Sequence, residues 1–154
     1  MRAVVQRVSQ ASVTVKGGLV ASINGGLLVL VGITHSDTAE QVSWMADKIL
    51  SLRVFADDEG RMNRSVADIG GGVILVSQFT LYGNLANGTR PSFIDAAPGE
   101  RARPLFDMLV QVCTQRAAGR VAIQQGVFGA MMDVALVNDG PVTIILERNH
   151  PATT

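Results

Sequence analysis

The stretch VALVNDGPVTIIL, residues 134–146, has the pattern of a β-strand that the dipeptide Gly140-Pro141 interrupts. Alternating and β-branched residues lie on both sides of the dipeptide, whereas proline removes a backbone donor that a central strand would use. An X-Pro bond is also the only peptide bond that becomes cis at low cost, and glycine presents backbone without a side chain. Two interpretations follow: a hairpin turn, or a recognition tip of fixed shape.

A second stretch passes abruptly from apolar to polar residues. Residues 73–76 (VILV) form a fully apolar strand that runs directly into Ser77-Gln78-Phe79-Thr80. Backbone amides at such a strand end can stabilise the oxyanion of an acyl-transfer reaction without an ionisable side chain. Thr80 is a possible nucleophile, but no activating base lies nearby in the sequence. The alternative is that Ser77 and Thr80 only satisfy the end of the strand.

The hydrophobic pattern of the whole chain predicts an α+β fold with a curved, mostly antiparallel, barrel-like sheet and two main helices. The helices are expected at about residues 37–52, with Asp37 and Glu40 as the capping signal, and at residues 100–118. The length of 154 residues fits one domain, residues 1–154. Strands are expected over residues 2–8, 11–16, 19–24, 27–31, 53–55, 73–76, 121–125, 130–138 and 142–148.

Two of these strands, residues 27–31 and 73–76, are apolar at every position, which predicts cover on both faces. A helix layer or a partner subunit could supply that cover. Two helices can hardly cover a sheet of this size, so the sequence predicts a homodimer.

Composition narrows the possible functions. The 13 basic and 13 acidic residues give no overall field that would attract nucleic acid or a membrane, so any RNA contact must be local. Cys113 is the single cysteine, which fits a reducing compartment, and no leader indicates export, so we expect a cytoplasmic protein without membrane contact. No metal-ligand spacing and no nucleotide fingerprint occurs, so no metal and no cofactor are expected. His35 and His150 are poor candidates for a general base.

Two hexapeptides together carry a specific signature. Residues 77–82 (SQFTLY) and 138–143 (NDGPVT) closely resemble the signature segments of the D-aminoacyl-tRNA deacylase (D-tyrosyl-tRNA deacylase) family. The similarity extends over the whole chain and includes QRV at 6–8, RPSF at 90–93 and GVFGA at 126–130. A Gly-Pro dipeptide alone would identify nothing.

The resemblance implies a homodimeric enzyme that hydrolyses the ester between the 3′ end of tRNA and a D-amino acid, or glycine mischarged on tRNA(Ala). It also implies that L-aminoacyl-tRNA is spared. In this family Gly140-Pro141 would be cis and would reach into the pocket of the partner subunit, leaving no room for an L side chain. A rigid backbone wall suits that task, because the two enantiomers differ only in the direction of the side chain.

The resemblance implies catalytic roles for the segment Ser77, Gln78, Phe79 and Thr80. The ester would lie against this segment, with backbone amides near Gln78 and Phe79 acting on the carbonyl group. The implied nucleophile is water assisted by the 2′-hydroxyl of the terminal ribose, which leaves the role of Thr80 open. The implied substrate-binding residues are Gly140, Pro141, Arg7 as a brace, and Phe128 and Met132 as pocket lining.

Two departures from the family pattern lie outside both signatures. Many relatives have a basic residue where this chain has Ala86-Asn87, so Arg90 becomes the expected RNA contact. Met131 occupies a position where an acidic residue is common, and nothing in the sequence explains the difference.

Two other functions remain open at this point. One is a non-catalytic module that binds the 3′ end of tRNA, similar to the fold-related editing domain of some threonyl-tRNA synthetases, which would bind without cleaving the ester. The other is a dimeric enzyme of small-molecule metabolism, which would act on free D-amino acid esters.

Overall fold

The computed structural model describes residues 1–149, so His150 lies outside the described residues. The helices are α1 (Ala39–Ser51) and α2 (Gly99–Ala117), and a short 3-10 helix at Phe79–Tyr82 is called the 79–82 turn below. The strands are β1 (Arg2–Val15), β2 (Gly18–Ile23), β3 (Gly26–Gly32), β4 (Phe55–Ala56), β5 (Met62–Arg64), β6 (Gly72–Ser77), β7 (Ala122–Gln125) and β8 (Asp133–Glu147).

Strand β1 is the organising strand of the main sheet. It pairs antiparallel with β2, β3 and β8, while β3 pairs parallel with β6 and β6 pairs parallel with β7. The strand order is therefore β2-β1-β3-β6-β7. Different parts of the long strand β1 pair with β2 and with β3 along one edge, and β8 pairs with its opposite edge. The expected α+β class, the two helices and the curved, mostly antiparallel sheet are confirmed.

Two pairs of predicted strands are in fact single long strands. Residues 2–8 and 11–16 belong to β1, and residues 130–138 and 142–148 belong largely to β8. The ladder between β1 and β8 continues past the interruptions because register shifts near Arg7 and Ser9 absorb the extra residues. The interpretation of Gly140-Pro141 as a hairpin turn is therefore wrong.

The strands β3 and β6 are buried on both faces within one chain. Leu27, Val29, Val73 and Leu75 join the core under the two helices, whereas Leu28 and Ile74 belong to a second core inside the curved sheet. The second core is enclosed because β1 and β2 curl over it with Val8, Val13 and Ile23. The apolar strands therefore do not require a partner subunit to cover them. Their composition is thus no longer an argument for a homodimer.

The start of α1 differs from the prediction. Its N-cap is Thr38, which forms a capping box with Gln41, rather than Asp37 with Glu40. The carboxylate of Asp37 is instead buried, where it accepts hydrogen bonds from the Met1 ammonium group and from the Thr34 amide, the latter at 2.8 Å. Asp37 therefore ties the start of β1 to the loop before α1.

The single cysteine lies in the core, as its apolar neighbours predict. Cys113 on α2 is fully buried, and burial raises the pKa of its thiol to about 12. The thiol therefore stays protonated near neutral pH. Within residues 1–149, neither helix combines the length and the apolar character that crossing a bilayer requires.

A side chain links the two end strands of the curved sheet. The Gln124 side chain on β7 accepts a hydrogen bond from the Ser22 amide on β2 at 2.8 Å and donates one to the Ser22 carbonyl oxygen at 2.7 Å. The amide side chain thus pairs with the free edge of β2 in the way that a neighbouring strand would. This pair of bonds nearly closes the barrel.

We expect Gln124→Ala to lower the free energy of unfolding by about 0.5–1.5 kcal/mol, because both bonds to the exposed edge of β2 are lost and water replaces them only in part. Urea unfolding followed by circular dichroism measures the change. Gln125→Ala is the matched control, because this exposed neighbour lies outside the Ser22 contact. Equal losses of unfolding free energy in the two variants would contradict the role of Gln124 in linking β7 to β2.

Candidate functional site

The carboxyl ends of β3 and β6 lie side by side, because the two strands are parallel and in register from Gly26 opposite Gly72 to Val31 opposite Ser77. The Gln78 amide extends the ladder by donating to the Val31 carbonyl oxygen at 2.8 Å. The chain then leaves the sheet and forms the 79–82 turn. The polar segment that the sequence singled out is therefore at the point where backbone pairing stops.

A cavity of about 830 Å³ opens beside this segment. Three parts of the fold line it: the ends of β3 and β6, the start of α2, and the segment leading into β8. The lining residues include Ser77, Gln78, Phe79, Thr80, Pro98, Gly99, Ala102, Phe128, Met131 and Met132. The cavity thus brings together the predicted catalytic segment and two of the predicted substrate-binding residues.

Of the described residues that line this cavity, none carries an ionisable side chain. The polar side chains of the lining are Ser77, Gln78 and Thr80, together with backbone groups. His35 does not line it, and its ring Nε2 lies 2.8 Å from the Ile94 carbonyl oxygen. Among residues 1–149 no cluster of three or more His, Cys, Asp or Glu side chains is placed to hold a metal ion. The described part of the chain therefore offers the cavity no general base.

The backbone amides of the site divide into engaged and available groups. The Gln78 amide is engaged in the sheet, whereas Phe79 and Thr80 supply the first amides of the 79–82 turn, for which a helical turn provides no internal acceptor. The Gln78 side-chain amide donates to the Thr80 hydroxyl oxygen. Thr80 thus has a hydrogen-bond donor beside it rather than a base, which does not favour a nucleophilic role.

Phe128 and Met132 form the wall opposite the turn. The Phe128 ring packs against Phe106 of the core, with ring centroids 5.9 Å apart, and the Arg103 guanidinium lies 4.8 Å from the Phe128 ring centroid. A Cβ atom at Gly126 would lie 2.7 Å from the Met132 sulfur, so the absence of a side chain at Gly126 leaves room for the Met132 thioether in its present position. Packing thus holds the Phe128 ring in place.

Gly140-Pro141 lies elsewhere on the protomer. Between the pairs Gln6–Thr143 and Val8–Asn138, residues 139–142 of β8 lie opposite Arg7 alone, so this segment bulges out of the ladder. The Gly140–Pro141 peptide bond is cis, and both residues are exposed. Neither residue lines the cavity of its own chain.

Two side chains of β1 hold the base of this bulge. Arg7 donates to the Asp139 carbonyl oxygen at 3.1 Å and to the Val54 carbonyl oxygen at 2.6 Å. The Gln6 side-chain oxygen accepts from the Asn138 amide at 2.7 Å and from the Thr143 hydroxyl at 2.6 Å. Sequence reasoning missed the role of Gln6, and the only available signal was its place in the segment QRV at 6–8, which resembles the family.

Arg90 and Ala86-Asn87 lie in the exposed loop after the 79–82 turn. The loop is pinned by backbone hydrogen bonds between Asn84 and Ser92, and Arg90 is not part of the cavity lining. Met131 is 91% exposed at the cavity edge, which gives no structural reason for methionine there.

Comparison with known proteins identifies the family. The family model described as D-Tyr-tRNA(Tyr) deacylase matches residues 4–147. The chain belongs to the D-Tyr-tRNA(Tyr) deacylase family. The family resemblance of the two hexapeptides is therefore confirmed.

Individual relatives cover nearly the whole chain. The D-aminoacyl-tRNA deacylase of Opitutus terrae is 57% identical over 149 residues, which are 97% of this chain and 98% of that protein. The D-aminoacyl-tRNA deacylase of Thermomicrobium roseum is 56% identical over 147 residues, which are 96% and 94% of the two chains.

Solved structures agree with the deacylase fold. A protein named c-Myc DNA Unwinding Element Binding Protein superimposes with a TM-score of 0.91 at 42% identity, over 97% of this chain and all of that chain. A probable eukaryotic D-amino acid tRNA deacylase superimposes with a TM-score of 0.79 at 16% identity, over 94% and 97% of the two chains, which supports the fold alone.

We expect Gly140→Ala to destabilise this deacylase by about 1 kcal/mol more than Gly88→Ala, because only the former overpacks its surroundings. Gly140 (φ +125°) and Gly88 (φ +115°) both have a positive φ, which disfavours alanine. A Cβ atom at Gly140 would lie 2.9 Å from Val142 Cγ2 and 3.1 Å from Arg7 Nη2, whereas one at Gly88 would meet nothing within 4 Å.

The difference between the two urea-unfolding free energies isolates this steric contact from the cost of positive φ. Equal destabilisation of the two variants would mean that Arg7 and Val142 do not confine the bulge.

Proposed function

We propose that this protein hydrolyses the ester of D-aminoacyl-tRNA, releasing a free D-amino acid and tRNA, and that it also clears glycine mischarged on tRNA(Ala). Deacylase activity follows from membership of the family over nearly the full chain. The range of substrates, the residues that act and the basis of chiral selection are the parts that we propose here.

The observation that carries the mechanism is the cavity whose lining has available amides but no ionisable side chain. The aminoacyl ester would enter this cavity with its carbonyl oxygen toward the amides of Phe79 and Thr80. Those donors would stabilise the negative charge that develops on the oxygen as the ester carbon becomes tetrahedral. Fixed backbone dipoles in a partly enclosed site do this without a change of protonation state.

The nucleophile in this proposal is a water molecule oriented by the 2′-hydroxyl of the terminal ribose. Its oxygen forms a bond to the ester carbon, the bond from that carbon to the ribose 3′-oxygen breaks, and one proton of the water passes to the departing 3′-oxygen. No step requires a metal ion or an organic cofactor. The hydroxyl of Thr80, held by the Gln78 side chain, completes the polar wall without entering the bond changes.

Chiral selection is assigned to Gly140-Pro141 of a second copy of the chain in a homodimer. The segment is exposed and is braced by Arg7 and Gln6, yet it does not line the cavity of its own chain. Exposed apolar residues also flank it on β8, among them Val137 and the 68% exposed Ile145, which a partner would cover. Glycine has no side chain to be excluded, so it would be accepted together with D-amino acids.

The expected RNA contact is local. Phe128 and Met132 would line the cavity around the terminal nucleotide, and Arg90 would contact a phosphate from the exposed loop. We place the reaction in the cytoplasm, which agrees with a single buried, protonated cysteine.

Incubation of the protein with D-Tyr-tRNA and L-Tyr-tRNA tests the proposed function. We expect hydrolysis of the D ester only, and we expect Pro141→Ala to hydrolyse both esters while keeping its fold, because the backbone wall loses its rigid ring. Acid-gel separation of charged and free tRNA measures both rates, and circular dichroism measures the fold.

Other outcomes favour the alternative functions. Binding of tRNA without cleavage of either ester would support a non-catalytic tRNA-end module. Hydrolysis of free D-amino acid esters without tRNA would support an enzyme of small-molecule metabolism. A Pro141→Ala variant that still spares the L ester would mean that another group forms the wall.

Hybrid dimers test whether the wall comes from the partner. One protomer would carry both Pro141→Ala and Ala130→Trp, so that its own cavity is filled at a lining residue and its homodimer is inactive. The other protomer would be wild type, which is expected to cleave only the D ester. If the wall crosses the interface, mixed dimers gain L-Tyr-tRNA hydrolysis that neither parent has, because an open cavity then faces an altered wall.

The same experiment has a clear negative result. If each wall serves its own chain, the altered wall stays beside the filled cavity and the mixture shows no L-Tyr-tRNA hydrolysis. Analytical ultracentrifugation establishes that mixed dimers form, and a wild-type monomer in solution would contradict the homodimer directly.

A further inference from the structure

The 79–82 turn needs support from outside itself. It contains four residues, and its few internal hydrogen bonds cannot fix its orientation relative to the sheet. The amides assigned to the ester carbonyl belong to its first two residues. Their direction therefore depends on whatever holds the far end of the turn.

The sheet provides a seat for this turn at the end of β3. A Cβ atom at Gly32 would lie 3.1 Å from Leu81 Cβ and 3.2 Å from both the Gln78 carbonyl oxygen and the Tyr82 ring, so the absence of a side chain at Gly32 lets the turn approach the strand. Gly32 pairs directly with Arg2 on β1, and Arg2 pairs on its other side with Glu147 on β8. Residues paired in this way share one face of the sheet.

From its place between Gly32 and Glu147 in the sheet, the Arg2 side chain extends onto the 79–82 turn. Its Nη1 donates to the Leu81 carbonyl oxygen at 2.8 Å, and its guanidinium lies 4.9 Å from the centroid of the Tyr82 ring. Its Nη2 donates to the Glu147 carboxylate at 2.9 Å. Arg2 thus holds the last two residues of the turn while Glu147 holds Arg2.

The surroundings of this contact keep the guanidinium in one geometry. The Arg2 side chain is only 34% exposed, and its hydrogen bond to Glu147 raises the pKa of the guanidinium. Burial also raises the pKa of Tyr82, so the ring beneath Arg2 remains neutral. A planar guanidinium with two separate hydrogen-bond partners and a ring beneath it has little rotational freedom.

We propose that Arg2 is a positioning residue for ester hydrolysis: by holding Leu81 and Tyr82 it fixes the direction of the Phe79 and Thr80 amides. This inference rests on the proposed function. Arg2 does not line the cavity and does not touch the reacting atoms. Its contribution is to keep the donors at the place where charge develops, which affects the chemical step more than binding.

The test compares Arg2→Met with wild type on D-Tyr-tRNA. We expect kcat to fall by about 10- to 100-fold with KM changed less than about threefold, since misplaced donors cost transition-state stabilisation rather than ground-state binding. Affinity for a non-hydrolysable 3′-amide analogue of D-Tyr-tRNA should stay within about threefold by the same reasoning. The Arg2→Lys variant can keep one of the two hydrogen bonds but not both. Its kcat should therefore lie between those of wild type and Arg2→Met.

Arg116→Met is the matched control. Arg116 is 37% exposed, donates to the Asp47 carboxylate at 2.8 Å and to the Ser43 carbonyl oxygen at 2.7 Å, and thus makes the same two kinds of bond between α2 and α1, away from the cavity. The Arg116→Met variant should lose about as much thermal stability as Arg2→Met, whereas its kcat should equal that of wild type. If Arg2→Met does not fold, the intermediate kcat of Arg2→Lys carries the test.

Three results would overturn the inference. The first is a kcat of both Arg2 variants within twofold of wild type, and the second is an equal fall of kcat in Arg116→Met. The third is a rise in KM of the Arg2 variants with a weaker salt dependence, which would mean that Arg2 binds RNA directly. Each leaves the proposed function intact, because that function fails only if the wild-type protein does not cleave D-Tyr-tRNA.

Discussion

The backbone ladder of β1 is the interaction on which the rest of the structure depends. This strand of 14 residues pairs with β2 and β3 on one side and with β8 on the other. Its Arg2 supports the 79–82 turn, while its Gln6 and Arg7 support the Gly140-Pro141 bulge. One strand therefore holds both parts of the molecule to which the proposed reaction assigns roles.

Much of the fold could be predicted from the sequence because local periodicity determines it. The two helices and the apolar strands β3 and β6 were placed correctly within a few residues. The continuity of β1 and β8 was missed, since a bulge breaks the alternation of side chains without ending the strand. The enclosure of the second core was missed for a different reason: curvature arises from pairings between distant strands, which no local pattern records.

Several residues that the sequence singled out line one cavity of the structure, but the sequence could not show how they are arranged there. The two hexapeptides identified the family, and the cavity brings Ser77 to Thr80 together with Phe128 and Met132. The sequence could not show that the Gln78 amide is engaged by Val31, or that Arg2 and Gly32 meet the turn, because these contacts join strands far apart in the chain. Local pattern also could not show that Gly140-Pro141 lies away from the cavity of its own protomer, which only the family resemblance implied.

The neutral lining of the cavity has a consequence for the breadth of substrates. A chamber without charged groups offers no ion pair to a lysyl or aspartyl substituent, and flexible Met131 and Met132 at its edge adapt to different shapes. Under the proposed mechanism, handedness would then be the criterion for admission, and the identity of the amino acid would have little influence. In the proposed reaction, such a cavity would suit a generalist that removes one stereochemical class of error from different tRNAs.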